Sequence, residues 1–432
     1  MQRRAKWFLA VVVAVFIFVQ LIFFGVLSGA QPKRQGPPNV VLVTIDRLRW
    51  DRLSCLSTNS PGTPNIDALA ARGALFEKCY AQAELTPTSH MAILTSSYPF
   101  ETYKDTAQKR HRTLAEMLRA AGYHTASFPS TAILNPTEFN EVSMALNFGM
   151  GFDEVAAIPM EPGKPLFFVR RKGRDTNDLA LKWLADPARQ GKPWFLFLNY
   201  RDGHPPIELP APWMPAASGS QFDERVDVYD AAVRYMDSLV GEIMSALKRR
   251  GFEDNTAIAL VGDHGWNANV GRPEGFNEGT VHVPMILSWP GGPRGTRVTE
   301  VAETIDAVPT LLSVAGVNGE RLSGQDRTKP PKRALAFSQT TRSEGFMVTD
   351  GRWKYIHFAR TLNRPGFFVK KGTTELYDLS SDPGETRNLA GRNSDEEIRL
   401  RYYLAMRFTG DGGWPGKPDP AVLKRMKTQD YF

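Results

Sequence analysis

Strand-length apolar runs alternate with helical patterns along most of this chain, and that alternation limits the fold more than any other feature. The runs fall at 39–45, 74–80, 125–128, 194–199, 256–262 and 285–288, and helical periodicity falls at 63–72, 87–95, 112–121, 175–185, 226–249 and 306–315. Strands joined through helices pair mainly in parallel and are covered on both faces. The expectation is an α/β fold, a mostly parallel sheet flanked by helices on both faces, over residues 39–330. The helix at 63–72 is well marked, with Thr63 placed to cap it, Pro64 in its first turn and Gly73 just past its end. Beyond residue 330 the texture changes to short strand-like runs at 334–338, 345–349, 352–358 and 375–379, then a closing helix near 395–407. A small C-terminal antiparallel sheet-plus-helix subdomain is expected over 331–432.

Trp7 to Ala30 carries no charge and consists mostly of Val, Phe, Leu, Ile and Ala. As a helix it would be about 36 Å long, enough for a hydrocarbon core of about 30 Å. Arg3, Arg4 and Lys6 precede it, so residues 1–6 are expected in the cytoplasm and the body outside. The reading is a single-pass signal-anchor at 7–30 and a polar linker at 31–38, with the main domain periplasmic or extracellular. Cleavage after Ser28-Gly29-Ala30 is the competing reading; the length of the apolar stretch favours the uncleaved anchor.

The formal charge of +7 is set largely by that leader. Taking Arg3, Arg4, Lys6, Lys33 and Arg34 from 53 basic residues leaves 48 against 46 acidic, a body near +2. Basicity therefore makes no case for a nucleic-acid partner. Cys55 and Cys79 are the two cysteines; an oxidising compartment would allow them to pair, and the favoured reading is two small buried side chains.

The chemistry sits at strand ends. Asp46 ends the run Asn39-Val40-Val41-Leu42-Val43-Thr44-Ile45, and Asp263-His264-Gly265 follows Thr256 to Gly262. Between them lies Leu85-Thr86-Pro87-Thr88-Ser89-His90, a hydroxyl at a strand-to-helix turn. In open parallel sheets, ligands gather at the carboxyl ends of the strands. Two carboxylates and an imidazole suit a divalent cation, which would activate a hydroxyl placed beside it. Helix N–H groups behind Thr86 would help hold an anion.

In their order along the chain these segments resemble the sulfatase family within the alkaline-phosphatase superfamily, from about Asn39 to Leu389. The resemblance is carried by Ile45-Asp46-Arg47-Leu48-Arg49-Trp50-Asp51, Gly62 to Ala70, Thr86 to His90, Thr113 to Leu118 with Gly122-Tyr123, Asp202-Gly203-His204, Val283-Pro284, Pro309 to Leu312 and Glu375 to Leu379. It implies that Asp46, Asp263, His264 and Thr86 hold one divalent metal ion, Ca, Mn, Zn or Mg. It implies Thr86 as nucleophile and His204 as leaving-group acid or substrate contact. His90 stands at a family arginine and is expected to orient Thr86 or touch substrate. Ser89, Asp202, His282 and Arg272 are expected on the substrate side, with Arg272 near a family lysine. A second metal would need further histidines. Asp51 reads as a salt-bridge or turn residue, and His111, His124 and His357 as structural.

The departures from the family pattern redirect the chemistry. Sulfatases carry Cys or Ser at the Thr86 position and convert it to formylglycine, which threonine does not yield. The segment supplying a lysine and a histidine for the sulfate is replaced by Phe128-Pro129-Ser130-Thr131-Ala132. A threonine nucleophile in the superfamily belongs to phosphodiesterases and phospho-headgroup transferases. The expectation is a metal-dependent hydrolase of sulfuric or phosphoric esters, phosphodiesters favoured, acting on a small-molecule, glycan or lipid substrate. The alternatives are a phospho-headgroup transferase of the same fold and an inactive pseudoenzyme acting as a binding module.

Overall fold

The computed structural model describes residues 36–102, 111–136, 148–215, 221–266, 275–364, 367–392 and 394–408. Residues 7–30, expected to span a membrane, lie outside them. Among the described residues no helix is long and apolar enough to cross a membrane. Everything described below belongs to one compact unit, Pro37–Phe432.

Its centre is a sheet built from β1 (Asn39–Ile45), β2 (Ala74–Tyr80), β3 (His124–Phe128), β4 (Glu154–Val155), β5 (Trp194–Tyr200), β6 (Thr256–Gly262), β7 (His282–Ser288), β8 (Thr296–Val298) and β9 (Ala302–Glu303). The order is β4-β3-β5-β1-β6-β7-β2-β8, with β9 also on β2. Pairing is parallel from β4 through β6, and β7 runs antiparallel to both β6 and β2. The flanking helices are α1 (Pro64–Ala71), α2 (Thr86–Thr95), α3 (Leu114–Ala120), α4 (Gly173–Ala185), α5 (Gln221–Arg249) and α6 (Ala307–Ala315).

Successive strand residues face opposite ways, and β1 shows why the sheet needs cover on both sides. Val40 and Leu42 join a core with Met91, Leu118 and Leu311, from α2, α3 and α6. Val41, Val43 and Ile45 join another with Ile66, Trp183 and Leu239, from α1, α4 and α5. All seven residues of β1 are buried, which is the expected state of a central parallel strand.

The register sets up the site. Ile45 pairs with Tyr200 of β5 and with Gly262 of β6. The next residue on each strand is therefore level with the others: Arg201, Asp46 and Asp263 stand side by side where three adjacent strands end. The ladder continues through them, Asp46 N donating to Tyr200 O at 2.8 Å and Asp263 N to Ile45 O at 3.4 Å.

After residue 330 the chain forms a second antiparallel sheet of β10 (Ala336–Gln339), β11 (Gly345–Thr349), β12 (Trp353–Phe358) and β15 (Thr374–Asp378). A hairpin, β13 (Leu362–Arg364) and β14 (Phe367–Val369), lies between its last two strands in sequence, and α7 (Asp395–Phe408) closes the described chain. Phe346, Leu400 and Phe408 share one core with Ala92, Tyr98 and Ile305, so this layer packs onto the end of α2.

One local expectation is corrected. Thr63 precedes α1, but its hydroxyl is committed to Ser54 and Asp67 rather than to a helix N–H. Gly73 lies just past the end of α1 as expected, and a Cβ there would meet Leu287 O at 2.3 Å, so the close approach of β7 also requires it. Cys55 and Cys79 are free thiols.

Candidate active site and metal centre

Three acceptor atoms converge at the end of β1 and β6. Asp46, Asp263 and His264 each offer one ligand atom, all within 4.8 Å of one another. His264 Nδ1 donates to Gly265 O at 2.9 Å, which leaves Nε2 as a lone pair. That Nε2 lies 3.6 Å from Asp46 Oδ1 and 3.7 Å from Asp263 Oδ2. Neither carboxylate oxygen has a hydrogen-bond donor, although both are buried. Two buried carboxylate oxygens and an imidazole lone pair facing one another without a proton between them form a site that a cation completes. The donor set fits a divalent metal.

Local packing fixes these three groups. Asp263 Oδ1 accepts from the backbone N–H of Arg47 at 3.1 Å and of His264 at 2.7 Å, which aims Oδ2 at the cluster. Arg47 adopts φ 63°, turning the chain directly after Asp46. Gly265 is required because a Cβ there would meet Gly279 O at 2.0 Å.

Thr86 is the first residue of α2, with Leu85 in the capping position, and its side chain makes no cap. Its Oγ1 is aimed at the cluster instead, 3.4 Å from Asp46 Oδ2 and 3.3 Å from His264 Nε2. The N-terminal end of the helix adds its positive field there. Ser89 Oγ donates to Asp263 O at 2.5 Å and so ties α2 to β6.

His90 serves as a buttress. Its Nδ1 donates to Thr86 O at 2.8 Å and lies 3.5 Å from Asp263 Oδ2. Its Nε2 accepts from Thr44 Oγ1 at 2.9 Å. Burial lowers its pKa despite the neighbouring Asp263, so the ring is neutral and both nitrogens are used. It touches the nucleophile candidate's backbone, not its hydroxyl.

Arg201 completes the row, and nothing in the local sequence marks it. Its Nε lies 3.2 Å from Asp46 Oδ2, and its Nη1 donates to Thr131 Oγ1 at 2.6 Å. Thr131 belongs to the segment that departs from the family pattern. That segment offers no lysine or histidine, but its hydroxyl fixes a guanidinium arriving from β5. Burial opposes the charge of Asp46, yet Arg201 and His264 outweigh it, and the net pKa is lowered. Asp263 goes the other way, raised by burial.

His204 closes a turn, its N–H donating to Arg201 O at 3.1 Å. Its Nδ1 donates to Pro205 O at 2.7 Å, leaving Nε2 open. Burial pushes its pKa down to about 4, although Asp46 favours the charged form. Asp202 points away from the cluster: Oδ1 accepts from Gly173 N at 3.0 Å at the start of α4, and burial raises its pKa to about 6. His282, expected on the substrate side, has both nitrogens engaged, with Glu278 Oε2 and with Glu77 O, each at 2.8 Å. It stacks between Trp50 and Tyr80 at 4.6 and 5.0 Å. Arg272 lies outside the described residues. Asp51 pairs with Arg49 at 2.7 Å.

Known proteins share this fold. Human arylsulfatase A is 26% identical over 437 residues, which cover 82% of this chain and 84% of that protein. The crystal structure of a phosphonate monoester hydrolase from Agrobacterium radiobacter superposes with a TM-score of 0.67 at 22% identity, covering 86% of this chain and 95% of that one. The structure of Ps i-CgsB in complex with a neocarrahexaose gives a TM-score of 0.69 at 18% identity, over 91% and 97%. The sulfatase family model matches residues 38–317, the span that supplies every residue of the cluster, and the chain belongs to the sulfatase family.

Proposed function

We propose that the protein is a metal-dependent ester hydrolase of this family that uses Thr86 as its nucleophile and favours phosphodiesters over sulfate esters. The observation that carries the reading is the placement of Thr86 Oγ1 within 3.4 Å of both Asp46 and His264, at a helix N-terminus, with two carboxylate oxygens left unpartnered beside it. Asp46, Asp263 and His264 would hold one divalent ion, with Thr86 adjacent. When bound, it would neutralise anionic oxygens and lower the pKa of a coordinated hydroxyl or water.

The chain's own residues do the rest. Thr86 Oγ1 forms a bond to phosphorus as the bond to the leaving oxygen breaks, and its proton passes to Asp46 Oδ2, the carboxylate oxygen it faces. Arg201 stabilises the negative charge on the non-bridging oxygens. His204 Nε2, a bare lone pair in the free protein, takes a proton from solvent once the anionic substrate binds and gives it to an alkoxide leaving group; a nitrophenolate leaves without one. Water then cleaves the threonine phosphodiester, releasing the retained half of the substrate as a phosphomonoester and regenerating the hydroxyl. A threonine sulfate lacks the second hydroxyl through which a formylglycine hydrate expels sulfate, so sulfate esters should stall. The fold neighbour from Agrobacterium radiobacter is named for a phosphorus substrate, which supports the same preference.

The apolar segment 7–30 adds a membrane-anchored, extracytoplasmic setting to this reading; a full-length chain retained in the membrane pellet after an alkaline wash supports it, and a soluble chain starting at Gln31 contradicts the anchor but not the export. The chemical test is covalent trapping. Quenching during turnover of a slow phosphodiester should give a phosphorylated peptide containing Thr86, absent from Thr86→Ala. A label on any other residue overturns the assignment.

A further inference from the structure

Beside His204 opens a cavity of about 410 Å³ that the chemistry above does not use. Arg201 and His204 form its inner wall, so whatever fills it is attached to the leaving side of the scissile bond. Its outer wall comes from residues 164–172, where Arg170 and Lys172 project beside Phe167 and Phe168. We propose that this cavity is a subsite for a second anionic group carried by the leaving half of the substrate, a ring-sized group bearing a carboxylate, sulfate or phosphate. The proposal rests on the hydrolase reading above.

The charge balance favours an anion. Glu208 is the one acid in the lining. It lies 3.1 Å from Arg170 Nη2, but its side chain is 65% exposed. The carboxylate half of this pair stands in solvent, where water screens it, so an incoming anion displaces Glu208 at little cost. Arg170 would stay in place, because its Nη1 also donates to His204 O at 3.2 Å. Lys172 is exposed and pairs with no acid among the described residues. The backbone carrying these cations is fixed: Val169 is buried against Ala132 and Ile158, and Arg170 bridges to Thr131, the residue that holds Arg201. Phe167 and Phe168 are 46% and 51% exposed, large apolar side chains in the lining that a ring would cover.

The test uses two phosphodiesters that differ only in whether the leaving nitrophenol carries a carboxylate, with the full chain loaded with Mn. The carboxylated ester should have a KM at least tenfold lower, and the advantage should shrink as salt is raised. Lys172→Glu, and Arg170→Gln beside it, should cut the preference ratio at least tenfold. Equal KM values in the unaltered protein, or variants that slow both esters by one factor, overturn the subsite. Calorimetric binding of the carboxylated nitrophenol itself separates this claim from the reaction. If neither ester turns over, the hydrolase reading fails, yet product binding that Lys172→Glu abolishes still establishes the subsite. Glucuronate, glucose 6-sulfate and glucose 6-phosphate as competitors rank the three anions.

Discussion

Arg201 Nε lies 3.2 Å from Asp46 Oδ2, and the contact is dictated by register: both residues sit one position past the paired residues Tyr200 and Ile45. Binding of a cation to Asp46 would free part of that guanidinium for the substrate. Arg201→Ala should lower kcat/KM on phosphodiesters by about 10²–10³-fold, the scale of removing one preorganised donor from a developing oxyanion. Arg201→Lys should recover little, because the fork that spans Asp46 and Thr131 is lost. Added guanidinium should partly restore the Ala variant; a variant with unchanged kcat/KM would remove Arg201 from the site.

The unpartnered oxygens of Asp46 and Asp263 predict an inversion of stability with metal. Asp263 is held neutral-prone by burial and by the neighbouring Asp46. Asp263→Asn should therefore raise the melting temperature of the metal-free protein while abolishing the rise that Mn or Zn gives the unaltered chain. Thermal melts with and without metal, beside metal analysis, check both halves. Equal metal occupancy in Asp46→Ala and Asp263→Ala would show that the cluster is not the site.

A second charged cluster lies where the two layers meet and carries a pH prediction. The Lys354 ammonium, fully buried, is 2.5 Å from Glu278 Oε1 and 2.8 Å from Glu385 Oε1. Burial alone would raise the Glu278 pKa, but Lys354 and His282 bring it down to about 2. A depressed carboxylate stabilises the fold above its unfolded value, near 4.5, and the contribution is lost as pH falls from there towards 2. Glu278→Gln should destabilise by about 3 kcal/mol at pH 7, since it leaves part of a buried charge unpaired. Denaturant melts should show that gap closing at pH 2–3. A gap that is constant with pH would mean the pair contributes by packing alone.

Much of this site can be read from local sequence, and the remainder depends on distant register. Asp46 and Asp263 each follow an apolar run, so their strand-end placement is legible, as is the turn that presents Thr86. The same rule applies to Arg201, which follows Trp194–Tyr200 by one residue. It passes unmarked because an arginine before Asp-Gly-His reads as a solvated charge until β5 is known to lie beside β1. His282 shows the opposite case. Its motif position suggests substrate contact, but the antiparallel β7 turns it between Trp50 and Tyr80, and only long-range pairing determines that. His90 is expected either to orient Thr86 or to meet substrate; it lies buried with its Nδ1 on Thr86 O, a contact that depends on the turn into α2 and not on the motif alone. The small C-terminal sheet is legible from its alternation, but its packing against Tyr98 and Ile305 is not, since no local pattern encodes a partner more than thirty residues away.

The central claim is that Thr86 turns over phosphate diesters faster than sulfate esters, and one kinetic comparison tests it most directly. Under saturating Mn or Zn, bis-nitrophenyl phosphate should be hydrolysed faster than nitrophenyl sulfate, and both activities should vanish in Thr86→Ala. Faster turnover of the sulfate, lost in Thr86→Ala, would contradict the account and make this threonine a sulfatase nucleophile.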